Sequence, residues 1–323
     1  MDVGAPTGGV TAIAGGIGAG KFLRGLARVV PPEALTVIVN VADDIVVHGL
    51  HVSPDPDSVT YWLGDMFDRE RGWGRRDETF RTTEELRAFD APDAWFNLGD
   101  LDLATHLFRT DLRRRGATAS EAIARVAARF GVRERLLPVT DDPVETRILC
   151  VDAATGAELD LHFQEYWVRR RGADPVKEIR YRGARGARPA PGVLDAIADA
   201  DAVVLCPSNP VVSIGPILAV PGVREAIAAR RTRVVGVSGI VGGAPVAGMA
   251  DKLMPAAGIE VSAAGVAAHY EGLLGAWLVD DLDRATIPAI EALGIRAAAT
   301  DTIMTDDDAA EAVARAALAL LAR

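Results

Sequence analysis

The chain has 323 residues and a mass of 34.0 kDa; 49% of its residues are hydrophobic and 25% are charged. This composition is typical of globular domains, and it excludes a disordered chain, a collagen-like fibre and a small disulfide-stapled scaffold. The formal net charge of −10 would repel a phosphate backbone, so we expect small-molecule substrates and no nucleic-acid partner.

The cysteines and the N-terminal residues bear on where the protein works. Cys150 and Cys206 both lie in apolar runs, where a buried thiol behaves as a small hydrophobic side chain. Two cysteines form neither a disulfide framework nor a cysteine-based zinc site. The first residues lack the features of a signal peptide, and no apolar stretch of about 18 residues is free of both charge and turn signals. These features predict a cytoplasmic protein with no membrane partner.

Short β-branched runs alternate with Ala-, Leu- and Arg-rich helical patterns along most of the chain. This rhythm predicts an α/β fold, a Rossmann-like and mostly parallel sheet with helices on both faces. The predicted core strands are Val10–Ala14, Leu35–Val41, Ala202–Cys206 and Arg233–Val237.

Two helices carry clear end signals. Thr118, with Glu121 three residues later, predicts a capping box at the start of a helix over Ala119–Phe130. Asp306–Arg323 begins with three aspartates and continues with Ala, Leu and Arg, which predicts a covering helix with acids at its positive end.

The middle of the chain departs from this rhythm. Arg147–Asp152 and Glu158–Phe163 alternate around a turn at Gly156, as in a hairpin, and Trp167–Gly192 is rich in Arg, Gly and Pro. We therefore predict a smaller inserted α+β subdomain. The expected organisation is a first part of the core over residues 1–145, the subdomain over 146–192, and a second part of the core over 193–323.

A glycine-rich segment, Gly15-Gly16-Ile17-Gly18-Ala19-Gly20-Lys21, follows the first strand. Glycines between a strand and a helix let the backbone approach a phosphate, and the helix N-terminus supplies N–H donors. The standard fingerprints fail, however. Phe22 replaces the Ser or Thr of a Walker A loop, and Lys21 stands where the Rossmann fingerprint has its third glycine. A phosphate cradle and a tight structural turn both remain open from these residues alone.

Acidic residues follow the second strand. The carboxyl ends of parallel strands line the ligand crevice, so these acids are expected beside the glycine loop. Asp43, Asp44 and Asp57 could hold Mg²⁺ together with water and substrate phosphate oxygens. The alternative is structural: Asp44 closes a turn, and Asp55 or Asp57 caps a helix over Val59–Phe67.

The five histidines give weaker signals. His48 and His51 lack a firm third ligand, so we assign no zinc site. His106 lies one helical turn after Asp102 and is either a ligand contact or one half of a helix-face pair. His162 and His269 are expected to be structural.

Two later loops complete the pattern. Pro207–Pro216 follows the third predicted strand, and its Ser and Asn side chains suit either a base or phosphate contact or a structural loop. Ser238–Pro245 follows the fourth strand in the same way. Polar or glycine-rich loops after four strands predict one long crevice, sized for a nucleotide conjugate and a second substrate.

In this order, the motifs resemble the 2-phospho-L-lactate transferase family of coenzyme F(420) biosynthesis. The resemblance extends nearly from end to end. Besides the glycine loop, it is carried by the segments Asn40–Asp44, Ser53–Asp57, Leu98–Asp100, Ala104–His106, Asp141–Pro143, His162–Gln164, Ser208–Pro216 and Lys252–Pro255. It implies a Mg²⁺-dependent transferase that moves a phospholactyl or phosphoenolpyruvyl group from a guanosine diphosphate conjugate to the primary hydroxyl of the deazaflavin Fo, releasing GMP. It also implies a homodimer.

The resemblance and the residue patterns together define the predicted site. Asp57 and Asp44 are the predicted catalytic residues, and Asp43, Asp44 and Asp57 the metal ligands. Asp57 matches the family position that contacts Fo, and Asn97 and Tyr61 are predicted beside it. The predicted nucleotide-binding residues are Gly16, Gly18, Gly20, Lys21, Ser208, Asn209, Ser213 and Gly215.

Two details affect the expected substrates. Asn97 stands where many relatives carry Lys or Arg, so a cationic contact is lost there. Arginine far outnumbers the three lysines, which is typical of a GC-rich bacterial genome and favours the enolpyruvyl donor that actinobacterial relatives use.

The alternative hypothesis is that the chain is a non-catalytic regulator of the same fold that binds nucleotide sugars. Such proteins share the glycine loop and the Val-Ala-Asp-Asp stretch, but tend to lack Ser53–Asp57 and the following Tyr61-Trp62. The transferase is therefore favoured. A nicotinamide-dependent oxidoreductase is disfavoured by the failed glycine spacing.

Overall fold

The computed structural model describes residues 9–322. In chain order, the strands are β1 (Val10–Ala14), β2 (Leu35–Val39), β3 (Ile45–Val47), β4 (Leu50–Val52), β5 (Arg135–Pro138), β6 (Glu145–Val151), β7 (Glu158–His162), β8 (Val176–Arg182), β9 (Ala202–Leu205), β10 (Val234–Val237), β11 (Ile240–Val241), β12 (Ala244–Pro245), β13 (Ala276–Asp280) and β14 (Arg296–Thr300). The α-helices are α1 (Gly16–Leu26), α2 (Pro54–Leu63), α3 (Arg81–Ala88), α4 (Asp100–Arg114), α5 (Ala119–Arg129), α6 (Val193–Asp199), α7 (Gly215–Leu218), α8 (Val223–Ala229), α9 (Ala250–Leu253), α10 (Ala263–His269), α11 (Ile287–Glu291) and α12 (Asp307–Ala319).

A seven-stranded sheet forms the centre of the fold, in the order β14-β13-β10-β9-β1-β2-β5. All its neighbouring strands are parallel, and helices flank it, which confirms the predicted α/β class. β1 lies between β2 and β9, so the chain winds outward in both directions from this point. In such sheets ligands bind outside the carboxyl ends of the strands, where the strand order reverses. The fold thus places a crevice beside the end of β1.

The predicted core strands all form. The first agrees to the residue, and its five side chains are buried because helices cover the parallel sheet. The other three are one or two residues shorter than predicted. β2 ends at Val39 because Asn40 begins a turn in which its Oδ1 accepts a hydrogen bond from the Ala42 amide.

The two helices with clear end signals also form. Thr118 and Glu121 make both hydrogen bonds of the capping box at α5. Asp306 caps α12 by accepting from the Ala309 amide. α12 packs on α1, where a Cβ at Gly25 would collide with the backbone of Ala310, so only glycine permits this close approach.

The predicted start of α2 is wrong. The helix spans Pro54–Leu63 rather than Val59–Phe67, and neither Asp55 nor Asp57 caps it. Proline is favoured at the first helical position because its fixed φ suits the helix and its missing N–H is not needed there. Both aspartates therefore lie in the first turn, with their side chains buried.

The predicted hairpin in the middle of the chain is confirmed by the antiparallel pairing of β6 with β7. β8 joins the other side of β6 and was not predicted. The hydrogen bond from the Thr146 amide to the Ala42 carbonyl, 2.7 Å long, ties this sheet to the turn after β2. The division of the chain into three parts stays a prediction.

Between residues 9 and 322, no single helix is long and apolar enough to cross a membrane. Two short segments, Pro210–Leu218 and Val223–Ala229, meet that criterion only as a pair bent by 91°.

Candidate active site

A cavity of about 920 Å³ lies at the carboxyl ends of the parallel strands. The segments that follow β1, β2, β9, β10 and β14 all line it. Aromatic side chains form much of its wall. They include Tyr61 and Trp62 of α2, Phe67 and Trp73 from the segment after α2, Phe96 before α4, and Trp167 after β7. The site thus joins a polar end, built from strand-end loops, to an aromatic region.

The glycine loop forms the first polar wall. Gly16 has a φ of +72°, in the left-handed region that favours glycine, and it begins α1. A Cβ at Gly18 would lie 2.5 Å from the carbonyl oxygen of Pro207, which follows β9. Only glycine allows the loops after β1 and β9 to meet this closely. Gly16, Gly18 and Lys21 all line the cavity, and their contact with a nucleotide stays a prediction.

Two of the glycines that were predicted to bind the nucleotide lie outside the cavity lining. Gly20 and Gly215 are not among the cavity-lining residues of the described chain. A Cβ at Gly20 would collide with the Trp62 ring, and one at Gly215 with the Tyr181 hydroxyl. These two glycines therefore serve close packing against aromatic side chains, and their predicted contact with a nucleotide has no support from the cavity.

The loop after β9 forms the facing wall. Ser208, Asn209 and Ser213 all line the cavity. Asn209 Oδ1 accepts hydrogen bonds from the amides of Val211 (2.9 Å) and Val212 (3.3 Å), so it caps the π-helical turn Pro210–Ile214. Ser208 Oγ is buried and has no hydrogen-bond partner among residues 9–322. An unpartnered buried hydroxyl on a cavity wall is suited to a ligand's phosphate or hydroxyl group.

Three aspartates form a buried cluster between these walls. Burial and the Asp55 charge raise the pKa of Asp43 well above its ordinary value. Burial likewise raises the pKa of Asp44 to about 7 and that of Asp55 to about 6. Asn40 Nδ2 donates to Asp55 Oδ2 (2.9 Å), and Ser53 Oγ donates to Asp44 Oδ2 (2.8 Å). Burial therefore favours the protonated form of these carboxyl groups unless a cation binds beside them.

The carboxylates of Asp43 and Asp44 are the ones that fit a cation. Oδ1 of each is buried, and no described residue forms a hydrogen bond with it. Asp43 lines the cavity, whereas Asp44, its neighbour in the chain, does not. In the described part of the chain, no three His, Cys, Asp or Glu side chains are grouped so as to hold a metal. Mg²⁺ often binds through one or two carboxylates plus water and substrate phosphates, so this pair suits it.

Asp57 lies in a different environment. It is buried and lines the cavity, but both carboxylate oxygens are taken up by Arg109 of α4. Arg109 Nη1 donates to Asp57 Oδ2 over 3.0 Å, and Nη2 donates to Oδ1. This ion pair occupies the carboxylate that the sequence analysis assigned as a third metal ligand.

A polar network continues from Arg109 to the cavity wall. Arg109 Nη1 lies 3.2 Å from Nδ1 of His106, and His106 Nε2 lies 3.5 Å from Asp102 Oδ2. The Tyr61 hydroxyl donates to Asp102 Oδ1 over 2.5 Å. Burial, followed by the charges of Asp57 and Asp102, raises the pKa of Tyr61, so its hydroxyl stays protonated. His106 therefore faces Asp102 on the same helix and also lines the cavity, and its contact with a ligand stays a prediction.

Two other predicted residues have clear partners. Asn97 lines the cavity, and its Oδ1 accepts a hydrogen bond from Arg87 Nη2 over 3.0 Å. Arg87, a residue of α3, therefore places a positive charge beside Asn97, the position at which the sequence analysis expects a cationic contact to be lost. His162 Nε2 lies 3.1 Å from the Asp44 carbonyl oxygen, and burial lowers the pKa of this imidazole to about 4. Its structural role agrees with expectation.

Sequence reasoning missed several residues of the site. Arg109, Asp55 and the aromatic side chains of the wall other than Tyr61 and Trp62 were not assigned to it. The Pro-Asp-Pro-Asp segment was a usable signal for Asp55, which was weighed only as a helix cap. Arg109 gave no local signal, because its partner Asp57 is 52 residues away in the chain.

The fold and site define an α/β protein with a glycine-rich loop and an acidic cluster at the point where the strand order of a doubly wound sheet reverses. Residues 10–318 match the family model described as 2-phospho-L-lactate transferase CofD. The chain belongs to this family of transferases.

Individual relatives agree with this assignment. The chain is 51% identical over 312 residues to a protein of Streptomyces griseus named phosphoenolpyruvate transferase, covering 96% of this chain and 98% of the relative. It is 41% identical over 300 residues to the 2-phospho-L-lactate transferase of Methanosarcina mazei, covering 93% and 96%. A crystal structure of a Bacillus halodurans protein matches 97% of this chain and all of its own with a TM-score of 0.61. At 20% identity, that similarity concerns the fold alone.

Proposed function

We propose that this transferase moves a phosphoenolpyruvyl group from its guanosine diphosphate conjugate to the primary hydroxyl of the deazaflavin Fo and releases GMP. One observation carries the proposal: a single cavity joins the glycine loop, Asp43 and Asp55 to Asp57 and an aromatic wall. Both halves of a two-substrate reaction have a matching surface in it.

The donor end of the cavity suits a nucleoside diphosphate. The N-terminus of α1 presents backbone N–H groups and the positive end of the helix dipole, and Lys21 adds a cation. Ser208 offers a buried hydroxyl without a protein partner. The choice of the enolpyruvyl group over the phospholactyl group is supported by the relatives: those that are 51% and 49% identical are named phosphoenolpyruvate transferases.

We assign Asp43 and Asp44 as the residues that hold Mg²⁺. Bound there with the donor's phosphate oxygens, the ion would neutralise charge that develops during transfer. Their two unpartnered, buried carboxylate oxygens support the assignment. Asp57 is left out of this metal site because Arg109 already neutralises its carboxylate.

The acceptor end suits a flat, conjugated ring. Tyr61, Trp73 and Phe96 line it, and Trp62 stacks on Phe67 with ring centroids 4.4 Å apart. Asp57 would orient the acceptor hydroxyl and accept its proton. The hydroxyl oxygen then bonds to the phosphorus that carries the enolpyruvyl group, the bond from this phosphorus to the bridging oxygen breaks, and GMP leaves with that oxygen.

A transfer assay tests the proposal. The chain is incubated with Fo, Mg²⁺ and either the enolpyruvyl or the phospholactyl conjugate, and Fo phosphodiester and GMP are followed by mass spectrometry. We expect both products in equal amounts, faster with the enolpyruvyl donor. No product from either donor, together with tight binding of nucleotide sugars, would instead support a non-catalytic regulator.

The homodimer implied by the family resemblance belongs to the same proposal. α4 exposes Leu101 and Phe108 on one side, seven residues apart, which provides apolar surface for association. Light scattering at micromolar concentration is expected to give twice the mass of 34.0 kDa.

A further inference from the structure

We infer that Arg109 is a positioning residue for the transfer reaction, which holds the Asp57 carboxylate in the orientation that meets the acceptor hydroxyl. This inference rests on the proposed function and extends it to a residue behind the cavity wall. It concerns the acceptor end of the site. Among the described aspartates that line the cavity, only Asp57 has both carboxylate oxygens paired with the same arginine.

The geometry of the pair fixes the carboxylate in two ways. Both terminal nitrogens of Arg109 donate to Asp57, one to each oxygen. Such a two-pronged contact sets the plane of the carboxylate as well as its position, which a single lysine ammonium cannot do. Arg109 is 3% exposed and Asp57 is 5% exposed, so solvent does not loosen the pair.

The guanidinium is itself held from behind. Arg109 Nη1 lies 3.2 Å from His106 Nδ1 and 3.4 Å from the His51 carbonyl oxygen. Because a guanidinium only donates hydrogen bonds, Nδ1 is the acceptor and the imidazole proton lies on Nε2, which faces Asp102. His106 and the backbone of β4 thereby prevent the guanidinium from rotating.

Stability alone does not account for this arrangement. Burying two charges is costly, and a hydrophobic pair of similar volume often serves the folded state as well. Arg109 Nε is moreover buried, and it has no hydrogen-bond partner in the part of the chain that the structure describes. The pair accordingly carries a desolvation cost, and the feature that it secures is the orientation of Asp57 at the cavity surface.

The Asp57 carboxylate can contact the acceptor hydroxyl while it stays paired with Arg109. Each carboxylate oxygen can accept about two hydrogen bonds, so Asp57 can bind Arg109 and still accept from a hydroxyl in the cavity. Loss of Arg109 would leave the carboxylate free to turn, and an error of about 1 Å in such a group can lower the rate about 100-fold. Turnover should therefore suffer more than donor binding.

The test compares Arg109→Gln, Arg109→Lys, Asp57→Asn and the double variant Asp57→Asn/Arg109→Gln with the wild-type chain. Arg115→Gln is the matched control, because Arg115 pairs with Asp111 on the exposed end of the same helix. The readouts are kcat, KM for each substrate, Fo affinity from deazaflavin fluorescence, and the midpoint of thermal unfolding.

We expect Arg109→Gln to lower kcat about 100-fold with donor KM changed less than about threefold, and Arg109→Lys to restore only part of the loss. The double variant should have the kcat of Asp57→Asn, since Arg109 acts through Asp57. It should also unfold at a higher temperature than Arg109→Gln, because no unpaired buried charge remains. If Arg109 only stabilised the fold, Arg109→Gln would instead lower the midpoint of thermal unfolding and keep kcat near the wild-type value at temperatures below that midpoint.

Several results would overturn the inference. One is a kcat for Arg109→Gln within about threefold of wild type, and another is a double variant in which the two single losses multiply. If the wild-type chain forms no product from either donor, the proposed function fails instead. The wild-type chain, Arg109→Gln, Asp57→Asn and the double variant are then compared by Fo affinity, where independent losses overturn the inference and a shared loss supports it.

Discussion

Asn40 and Asp55 join the end of β2 to the first turn of α2. Asn40 Nδ2 donates to Asp55 Oδ2 over 2.9 Å, and both side chains are buried. The same oxygen is 2.7 Å from the position that a Cβ at Gly15 would occupy. One carboxylate therefore stands where the glycine loop, the turn after β2 and α2 meet, and its ionisation affects the stability of the whole junction.

The free energy of unfolding should fall as the pH rises from 4 to 7. Burial raises the pKa of Asp55 from 3.8 to about 6, so between these values the folded chain keeps a proton that the unfolded chain has lost. The stabilisation from this group is complete below pH 3.8 and is lost as the pH rises through about 6. A shift of this size corresponds to about 3 kcal/mol.

Urea unfolding of the wild-type chain and Asp55→Asn at several pH values checks this prediction. The variant should show a shallower loss of stability between pH 4 and 7. His162 acts in the opposite direction below pH 6.5, because burial lowers its pKa to about 4, but it does so in both proteins. Parallel pH curves for the two proteins would contradict the prediction.

Gly18→Ala should weaken nucleotide binding without unfolding the chain. The added Cβ would come within 2.5 Å of the Pro207 carbonyl oxygen, so the loops after β1 and β9 must separate. We expect about a tenfold loss of GDP affinity and about 1–3 kcal/mol of destabilisation. Calorimetric titration with GDP measures the first effect. Gly186→Ala is the control, since a Cβ there meets no atom within 4 Å, and equal GDP affinity in both variants would contradict the prediction.

Magnesium should stabilise the folded chain when GDP is present, and this effect should depend on Asp43. At an ion concentration of 100 times its Kd, linkage predicts about 3 kcal/mol, which EDTA should remove. Asp43→Asn should melt at the same temperature with and without the ion. Asp111→Asn, which removes an exposed carboxylate on α4, should respond as the wild-type chain does. A full magnesium response in Asp43→Asn would exclude Asp43 from the metal site.

Arg87 should contribute to acceptor binding through Asn97. Its Nη2 donates to Asn97 Oδ1 over 3.0 Å, and it brings the positive charge that Asn97 lacks. Because the contact is partly exposed, we expect Arg87→Gln to weaken Fo binding by only about threefold, near 0.6 kcal/mol. Fluorescence titration with Fo measures this change. Arg81→Gln, exposed on the same helix, should bind Fo as the wild-type chain does, and an equal loss there would point to general charge instead.

The parts of the fold with strong local signals could be predicted from the sequence. β1 is a buried run of apolar and β-branched residues and was predicted to the residue, and the Thr118 capping box defined α5. β8 was missed because Lys177, Glu178 and Arg180 interrupt its apolar alternation, and its pairing with β6 contains an irregularity at Leu149 and Cys150.

The candidate site, like the fold, could be predicted only where the local sequence signals are strong. Asp43, Asp57 and the glycine loop could be placed in one crevice because the ends of parallel strands share an edge. The ion pair of Asp57 with Arg109 joins α2 to α4, and no spacing rule connects residues 52 positions apart. The helix-start error at α2 had a similar cause, since Asp55 was read as a cap although Pro54 already occupied the first helical position.

The most direct test of the central claim is to run the reaction in water enriched in oxygen-18. Transfer to the Fo hydroxyl breaks the donor's diphosphate without adding water, so neither GMP nor the Fo phosphodiester should gain the label. One GMP should also form for each phosphodiester. GMP or phosphoenolpyruvate that carries oxygen-18, formed without an Fo product, would show that the cavity hydrolyses the donor and would contradict the proposed transfer.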